Sequence, residues 1–373
     1  MRYGYWLPVF GGWLRNVPDE QMETSWAYVS RLAQRSEEIG FDLTLIAELF
    51  LNDIKGIDAP ALDAWSTAAA LAAVTKRLEL MVAVRPTFHQ PAILAKHAAN
   101  IDQISNGRLA LNVVSSWWSD EARRYGVQFD QHDDRYARTA EWLDVIAGAW
   151  KQPKFDYQGK YYQVQNGFSQ LKPYRSEGIP IFVGGGSDAA IEVAGKHADT
   201  FALWGESYAQ VRDVTSRVRA AAARHGRPTP RFSLSVRPIL ADTEERAWAK
   251  AEQILERATA LQDKTGYRKP ADGHATAGAR RLLALAEQGT RIDKRLWTEI
   301  AKLTGANSNT TALVGTPEQV AEVFGDYYDL GVSHFLIRGF DPLIDAIEYG
   351  RELIPLTRKL IAERGAARGV AAE

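Results

Sequence analysis

Short, nearly continuous apolar runs alternate along this chain with stretches of helical spacing. Arg2 to Val9 is an aromatic run interrupted late by Pro8, and Ser25 to Ile39 places Trp26, Val29, Leu32 and Ala33 at helical spacing before Gly40. The same pairing then recurs. A strand over Leu43 to Ala47 precedes a helix over Leu62 to Val74, Leu78 to Val84 precedes Ala92 to Ile104, and Arg108 to Val114 precedes Arg138 to Trp150. Ile179 to Val183 leads through three glycines into a helix ending near His197. Thr200 to Trp204, Arg231 to Leu240 and Ser333 to Arg338 precede helices over Tyr208 to Ala223, Glu244 to Ala258 and Leu343 to Ala362. Runs such as Leu78-Glu-Leu-Met-Val-Ala-Val84 suit parallel strands covered on both faces. Eight alternations predict an α/β fold, a (β/α)8 TIM barrel with insertions in one domain spanning 1–373; an open doubly wound sheet is the alternative.

Two segments exceed the repeating unit. Lys154 to Ser169 reads as a surface hairpin. Residues 261–310 carry nine Lys/Arg against five Asp/Glu, a net four positive charges, with short helices expected at Ala279 to Glu287 and Lys294 to Leu303. So long an insertion predicts an active-site lid, the alternative being a loosely ordered surface excursion. The tail beyond Ala362 is expected to fray.

Composition narrows the chemistry. With 45 Lys+Arg against 46 Asp+Glu, there is no electrostatic reason to expect nucleic acid or an anionic membrane as a partner. No cysteine is present, so disulfides, thiolate metal sites and cysteine nucleophiles are excluded. The seven histidines show no metal-ligand spacing, and no metal is expected. Apolar runs such as Ala68 to Val74 fall short of the roughly 18 residues that span a bilayer, and no signal peptide is visible, so a soluble, cytoplasmic protein is expected.

In a barrel the chemistry lies where the strands end. After the fifth strand, Gly184-Gly-Gly-Ser187 forms a tight turn into a helix that Ser187 or Asp188 can cap, and the free N–H groups there suit a phosphate; a turn needing glycine only for its geometry is the alternative. Arg85, Arg237 and Arg338 converge on the same rim with Asn112, Ser115-Ser-Trp-Trp118 and Trp204. Ser233, Ser235 and Arg237 share one face of their strand, expected to point inward. Each buried arginine needs an anion, either a ligand or a protein carboxylate such as Glu48 or Asp341. No catalytic triad, P-loop or H-E-x-x-H is present, so a bound cofactor is the expected source of reactivity. An aromatic, phosphate-bearing cofactor suggests FMN.

Ala83-Val-Arg-Pro86, Ile101-Asp-Gln-Ile-Ser-Asn-Gly-Arg108, Asn112-Val-Val-Ser115, His132-Asp-Asp-Arg-Tyr136, Gly184-Gly-Gly-Ser187 and Thr311-Ala-Leu-Val-Gly315 are motifs in which the chain resembles the bacterial luciferase-like flavin monooxygenases, within them the alkanesulfonate and dimethylsulfone branch. The resemblance implies a barrel that uses O2 and FMNH2 supplied by a separate NAD(P)H-dependent flavin reductase, and a homodimer or homotetramer. It places Asn112 and Glu121 along the flavin, Arg135 and Tyr136 near the ribityl phosphate, and Gly185, Gly186 and Ser187 on the phosphate itself. Glu121 as a helix-start carboxylate, and Arg135 paired to Asp133 or Asp134, are the structural alternatives. For the substrate, a small organosulfur anion, it implies Phe10, Arg85, Trp204, Arg237, Arg338 and Phe340, with Arg237 and Trp204 as the catalytic pair. Trp204-Gly-Glu206 matches the alkanesulfonate enzymes, but Ser235-Val-Arg237 stands where they carry Arg-x-His, and Phe10 and Phe340 replace a histidine and a tyrosine. Ser116 stands where the sulfone and pyrimidine branches carry glycine.

Overall fold

The computed structural model describes residues 1–11, 22–265, 276–306 and 310–370. Eight strands form the barrel: β1 (Arg2–Leu7), β2 (Leu43–Ile46), β3 (Glu79–Val84), β4 (Leu109–Val113), β5 (Ile181–Gly184), β6 (Thr200–Trp204), β7 (Arg231–Leu240) and β8 (Val332–Ile337). Each pairs in parallel with its neighbours, and β8 returns to β1, Arg2 standing opposite His334. The open doubly wound alternative is thereby excluded. Strand periodicity then sorts the side chains. Trp6, Leu43, Leu45, Met81, Ala110, Phe182 and Leu336 fill the interior, while Tyr3, Leu80, Val82, Leu111, Val183 and Phe335 pack outward in the larger core shared with the helices.

The motif ending in Arg108 is a structural joint. Asp102 accepts the amides of Leu109 (3.1 Å) and Tyr174 (2.8 Å). Asn106 and Gly107 both take left-handed backbone, φ 56° and 80°. Arg108 then donates to the carbonyls of Ala72, Thr75, Leu78 and Ser105, closing helix α2 (Ala64–Val74), whose last carbonyls would otherwise be unsatisfied.

Several boundaries differ from the sequence reading. Helix α4 (His132–Lys151), which follows α3 (Pro91–Ile104), starts six residues ahead of Arg138, with Asp133 and Asp134 favoured in its first turn, and so carries Arg135 and Tyr136. The expected hairpin is present as Phe155–Gln158 paired with Gln163–Gly167. Helix α5 (Asp188–His197) and helix α6 (Tyr208–Arg224) follow β5 and β6. Helix α7 (Glu244–Thr265) runs past Ala258 into the segment read as a lid. The expected fraying after Ala362 is corrected: the helix Ile354–Val370 continues, and Arg364 bonds to Asp326 and Asp329 at 3.2 and 2.9 Å.

Residues 261–310 are heterogeneous. Positions 266–275 and 307–309 of the expected lid lie outside the described residues. A helix over Ala277–Gln288 is followed by short strands Arg291–Ile292 and Leu296–Trp297, and by a helix over Glu299–Thr304. Leu296–Trp297 pairs with Ala312–Gly315, which runs parallel to the second half of β7. Trp297, Ile300 and Val314 pack with Trp248, Ile239 and Phe340, so this half is scaffold with its own core. The strand Ala312–Gly315 and the helix Pro317–Asp329 form a βα unit missing from the eight read off the sequence; its Thr316/Gln319 capping box was visible there.

His334 is buried at the base of the barrel, edge-on to Phe182. Burial, reinforced by the nearby charge of Arg2, pushes its imidazole down to about 3. Unfolding returns it to an ordinary value near ~6.5, so acid protonates the unfolded chain first: its contribution to stability is whole above that pH and drains away toward about pH 3. Melting temperature should therefore fall on acidification, and should fall less in His334→Gln; parallel curves for the two proteins would remove His334 from the acid response.

Candidate active site

Because all eight strands run the same way, their C-terminal ends share one rim. The turn after β5 is its tightest part. Gly185 has φ 141°, and a Cβ there would lie 2.6 Å from Ala190 Cβ and 3.0 Å from the Tyr136 hydroxyl. Ser187 caps α5, its Oγ accepting the Ala190 amide at 3.3 Å. Burial raises the Tyr136 phenol pKa, and a hydrogen bond to Ser187 opposes the rise. The structure thus brings Tyr136 on α4 together with Gly185, Gly186 and Ser187 of the turn before α5. A backbone without side chains opening on a helix N-terminus fits a phosphate.

Arg135 goes elsewhere. It donates to Ser115 O (3.1 Å) and Asp130 O (2.7 Å) and lies over the Phe129 ring, so it pairs with neither Asp133 nor Asp134 and braces the loop after β4. In that loop Ser116 takes left-handed backbone, φ 57°, a conformation glycine adopts without strain. Asn112 stands on the inward face of β4, beside Ala83 and Phe182, and is half-buried.

The floor of the opening is aromatic. Trp6 and Trp204 stack at 6.2 Å with planes 30° apart, and Trp6 Nε1 donates to Ser235 Oγ at 3.0 Å. Ser235 points inward as its strand face requires.

Arg85 and Arg237 are engaged by the protein. Arg85, 1% exposed, bonds to both oxygens of Glu121 and through Nε to Glu48 at 3.4 Å, with its guanidinium over the Phe88 ring. Glu48 also takes Trp65 Nε1 and His89 Nε2, and Glu121 takes the amides of Phe50 and Leu51. Glu121, expected along the flavin, is thus also the countercharge of Arg85, and Glu48, the protein carboxylate named as an alternative partner for a rim arginine, is its second partner. Arg237 is likewise 1% exposed: it donates to Gly339 O at 2.7 Å and lies 4.8 Å from the Phe340 ring centroid. Burial pulls its pKa well below the usual value, and neighbouring Arg338 adds to this. Phe340 packs into the core beside α7, and Phe10 is buried below the rim with its carbonyl accepting Asn52 Nδ2 at 2.7 Å. Two residues missed in the sequence, Glu206 and Arg281, form a bidentate pair at the end of β6. Glu206 was within reach as part of the Trp204-Gly-Glu206 match; nothing local marked Arg281.

Fold and rim define a (β/α)8-barrel enzyme with its chemistry at the C-terminal ends of the strands. The chain belongs to the luciferase-like monooxygenase family, whose model matches residues 1–334. Among solved structures it is similar to a riboflavin lyase holding modified FMN and riboflavin, at 22% identity and TM-score 0.78, covering 98% of this chain and 92% of that one. It is also similar to the EDTA monooxygenase of Chelativorans sp. BNC1, at 21% identity and TM-score 0.77 over 96% and 93% of the two chains. A long-chain alkane monooxygenase gives 20% identity and TM-score 0.74 over 96% and 91%. At these identities the likeness is one of fold.

Arg85→Met should leave Glu48 and Glu121 buried against an apolar side chain and lower stability by about 3–5 kcal/mol in urea unfolding. Adding Glu121→Gln should recover part of that loss. No recovery in the double variant would show that the pair is not the source of the effect.

Proposed function

We propose that this is a two-component monooxygenase that uses O2 and FMNH2, the reduced flavin coming from a separate NAD(P)H-dependent reductase. The supporting observation is the Gly185-Gly186-Ser187 turn under Tyr136, which a single Cβ would obstruct and which opens on the start of α5. Gly185, Gly186, Ser187 and Tyr136 hold the FMN phosphate, and Asn112 faces the ring from β4. Bound reduced FMN supplies two electrons and activates O2. Arg85, Glu48 and Glu121 position the opposite wall by tying the loops after β2 and β3 to the helix Ser119–Arg124.

For substrate we favour a small organosulfonate, an alkanesulfonate or sulfosugar. One oxygen atom of O2 would become the aldehyde oxygen, the other water, and the sulfur would leave as sulfite. Arg338, close enough to lower the affinity of Arg237 for a proton, joins it in making the ends of β7 and β8 attractive to such an anion. Trp204 and Trp6 pack its organic part. Because its guanidinium is wholly buried, Arg237 acts through the field and by positioning the Gly339-Phe340 loop. The Trp6–Trp204 stack, with Arg85 and Arg237 both occupied by protein groups, favours a second reading: oxygenation of a neutral sulfone or heterocycle by the same flavin.

The protein's own association follows from α2, an uncharged helix with Val74 exposed at its end, and α3 beside it, which exposes Ile93 and Ile104. This face suits a second copy, in a homodimer or homotetramer. No helix among the described residues is long and apolar enough to cross a membrane.

Supplied with reduced FMN, oxygen and a panel of sulfonates, sulfones and heterocycles, the protein should release sulfite from one or more sulfonates. Arg237→Ala should abolish that release while leaving FMN affinity within about twofold. Oxygenated sulfone or heterocycle products without sulfite would transfer the assignment to the second reading. In sedimentation velocity, Ile93→Asp should shift the protein toward monomer; an unchanged distribution would place the interface elsewhere.

A further inference from the structure

The helix Ala277–Gln288 lies directly on two parts of the site. A Cβ on Gly278 would come within 2.8 Å of Trp204 Nε1, and one on Gly186 would meet Arg281 Cδ at 3.2 Å and the Gly278 amide nitrogen at 3.4 Å. Its first turn therefore stands over both the phosphate turn and the indole. Apolar support comes from Ala279 and Leu282, packed with Ala301, Ala306 and Trp204, and from Leu285, which is buried in the main core.

The polar attachment is directional. Arg281 Nε and Nη2 each donate at 2.9 Å to separate oxygens of Glu206, which is 4% exposed. Arg281 also donates to Gln210 O at 3.3 Å, and Gln210 Nε2 returns a bond of the same length to Arg281 O. Asp213 stands 3.6 Å from Arg281 Nη1. Glu206 is itself fixed to the barrel. The Thr311 hydroxyl donates to Gly205 O at 2.7 Å, and the Tyr327 hydroxyl to Glu206 O at 2.6 Å. A fork of two parallel bonds to a rigid carboxylate holds direction as well as distance.

We propose that Arg281 is a positioning residue for cofactor retention: its pair with Glu206 holds the inserted helix across Gly186 and Trp204, and bound FMN leaves when that pair opens. The inference rests on the FMN reading above. It makes the helix an exit barrier whose strength is set away from the flavin. Arg281→Ala should therefore speed release without slowing entry. Arg281→Lys, keeping the charge but losing the fork, should fall between.

The test is stopped-flow fluorescence of oxidised FMN with the full-length chain, measuring association and then release into a flavin trap. Arg281→Ala should raise the release rate about tenfold with the association rate within about twofold, and Glu206→Gln should do the same from the other side of the pair. Combining Arg281→Glu with Glu206→Arg should restore part of the slow release, which a merely structural defect would not. Should Arg281→Ala fail to fold, Arg281→Lys and Glu206→Gln decide the matter. Unchanged release in the folded variants, beside normal FMN binding by the wild type, overturns this inference alone. Absence of FMN binding by the wild type overturns the FMN reading and this inference with it.

Discussion

Closure of eight parallel strands is the constraint on which the rest depends. The pairing of β8 with β1 joins residues more than three hundred positions apart, Arg2 opposite His334 and Tyr5 opposite Ile337. Once that seam forms, no strand chooses its own direction, and every strand end that can carry chemistry faces the same opening. Strand periodicity then decides which residues enter the interior, so Trp6, Trp204 and Ser235 become neighbours although they are scattered in sequence. β7 carries a second duty. Its first half pairs with β6 and β8, and its second half leaves the barrel to support Ala312–Gly315 and, through it, the structured half of the insertion.

Burial of charge is the second organising force. Guanidinium groups out of water demand partners, and a barrel rim provides them from several loops at once. Around Arg85, the two carboxylates Glu48 and Glu121 bind the loops after β2 and β3 to the helix Ser119–Arg124, so a single side chain fixes three connections. Arg237 does similar work for the turn after β8 through Gly339 O. These residues hold the walls of the opening at fixed distances whatever occupies it.

The barrel was readable because its evidence is periodic and repeated: a weak pattern seen eight times outweighs any one uncertain boundary. The glycine turn after β5 was readable for a different reason, since glycine at Gly185 is required by backbone conformation and close approach, a local property that sequence records. The arginines were found at the rim, and of the carboxylates that pair with Arg85 the sequence reading named Glu48 but not Glu121. Which carboxylate meets a buried guanidinium depends on contacts 36 and 37 residues away, as for Arg85 with Glu121 and Glu48, and no spacing rule encodes these. The unit Ala312–Gly315 with Pro317–Asp329 was overlooked because eight strands had already been counted, although its capping box is as explicit as that of α6. The pair Arg281–Glu206 spans 75 residues and leaves no local trace.

The two ion pairs on the rim differ in a way that matters for the proposed function, in which the reduced cofactor arrives from another protein. In the Arg85–Glu121 pair both side chains are almost wholly withdrawn from water, 2% and 0% exposed, and separating them would strand charge in a medium that cannot solvate it. In the Arg281–Glu206 pair the arginine side chain remains 22% exposed, so water can take over its hydrogen bonds as the pair parts. The first is suited to a wall that must not move, and the second to a cover that must open repeatedly. On that reading, a flavin that has entered reduced must pass such a cover to leave oxidised at each turnover. A barrier of modest height is the physical compromise between losing the cofactor before reaction and failing to release it afterwards.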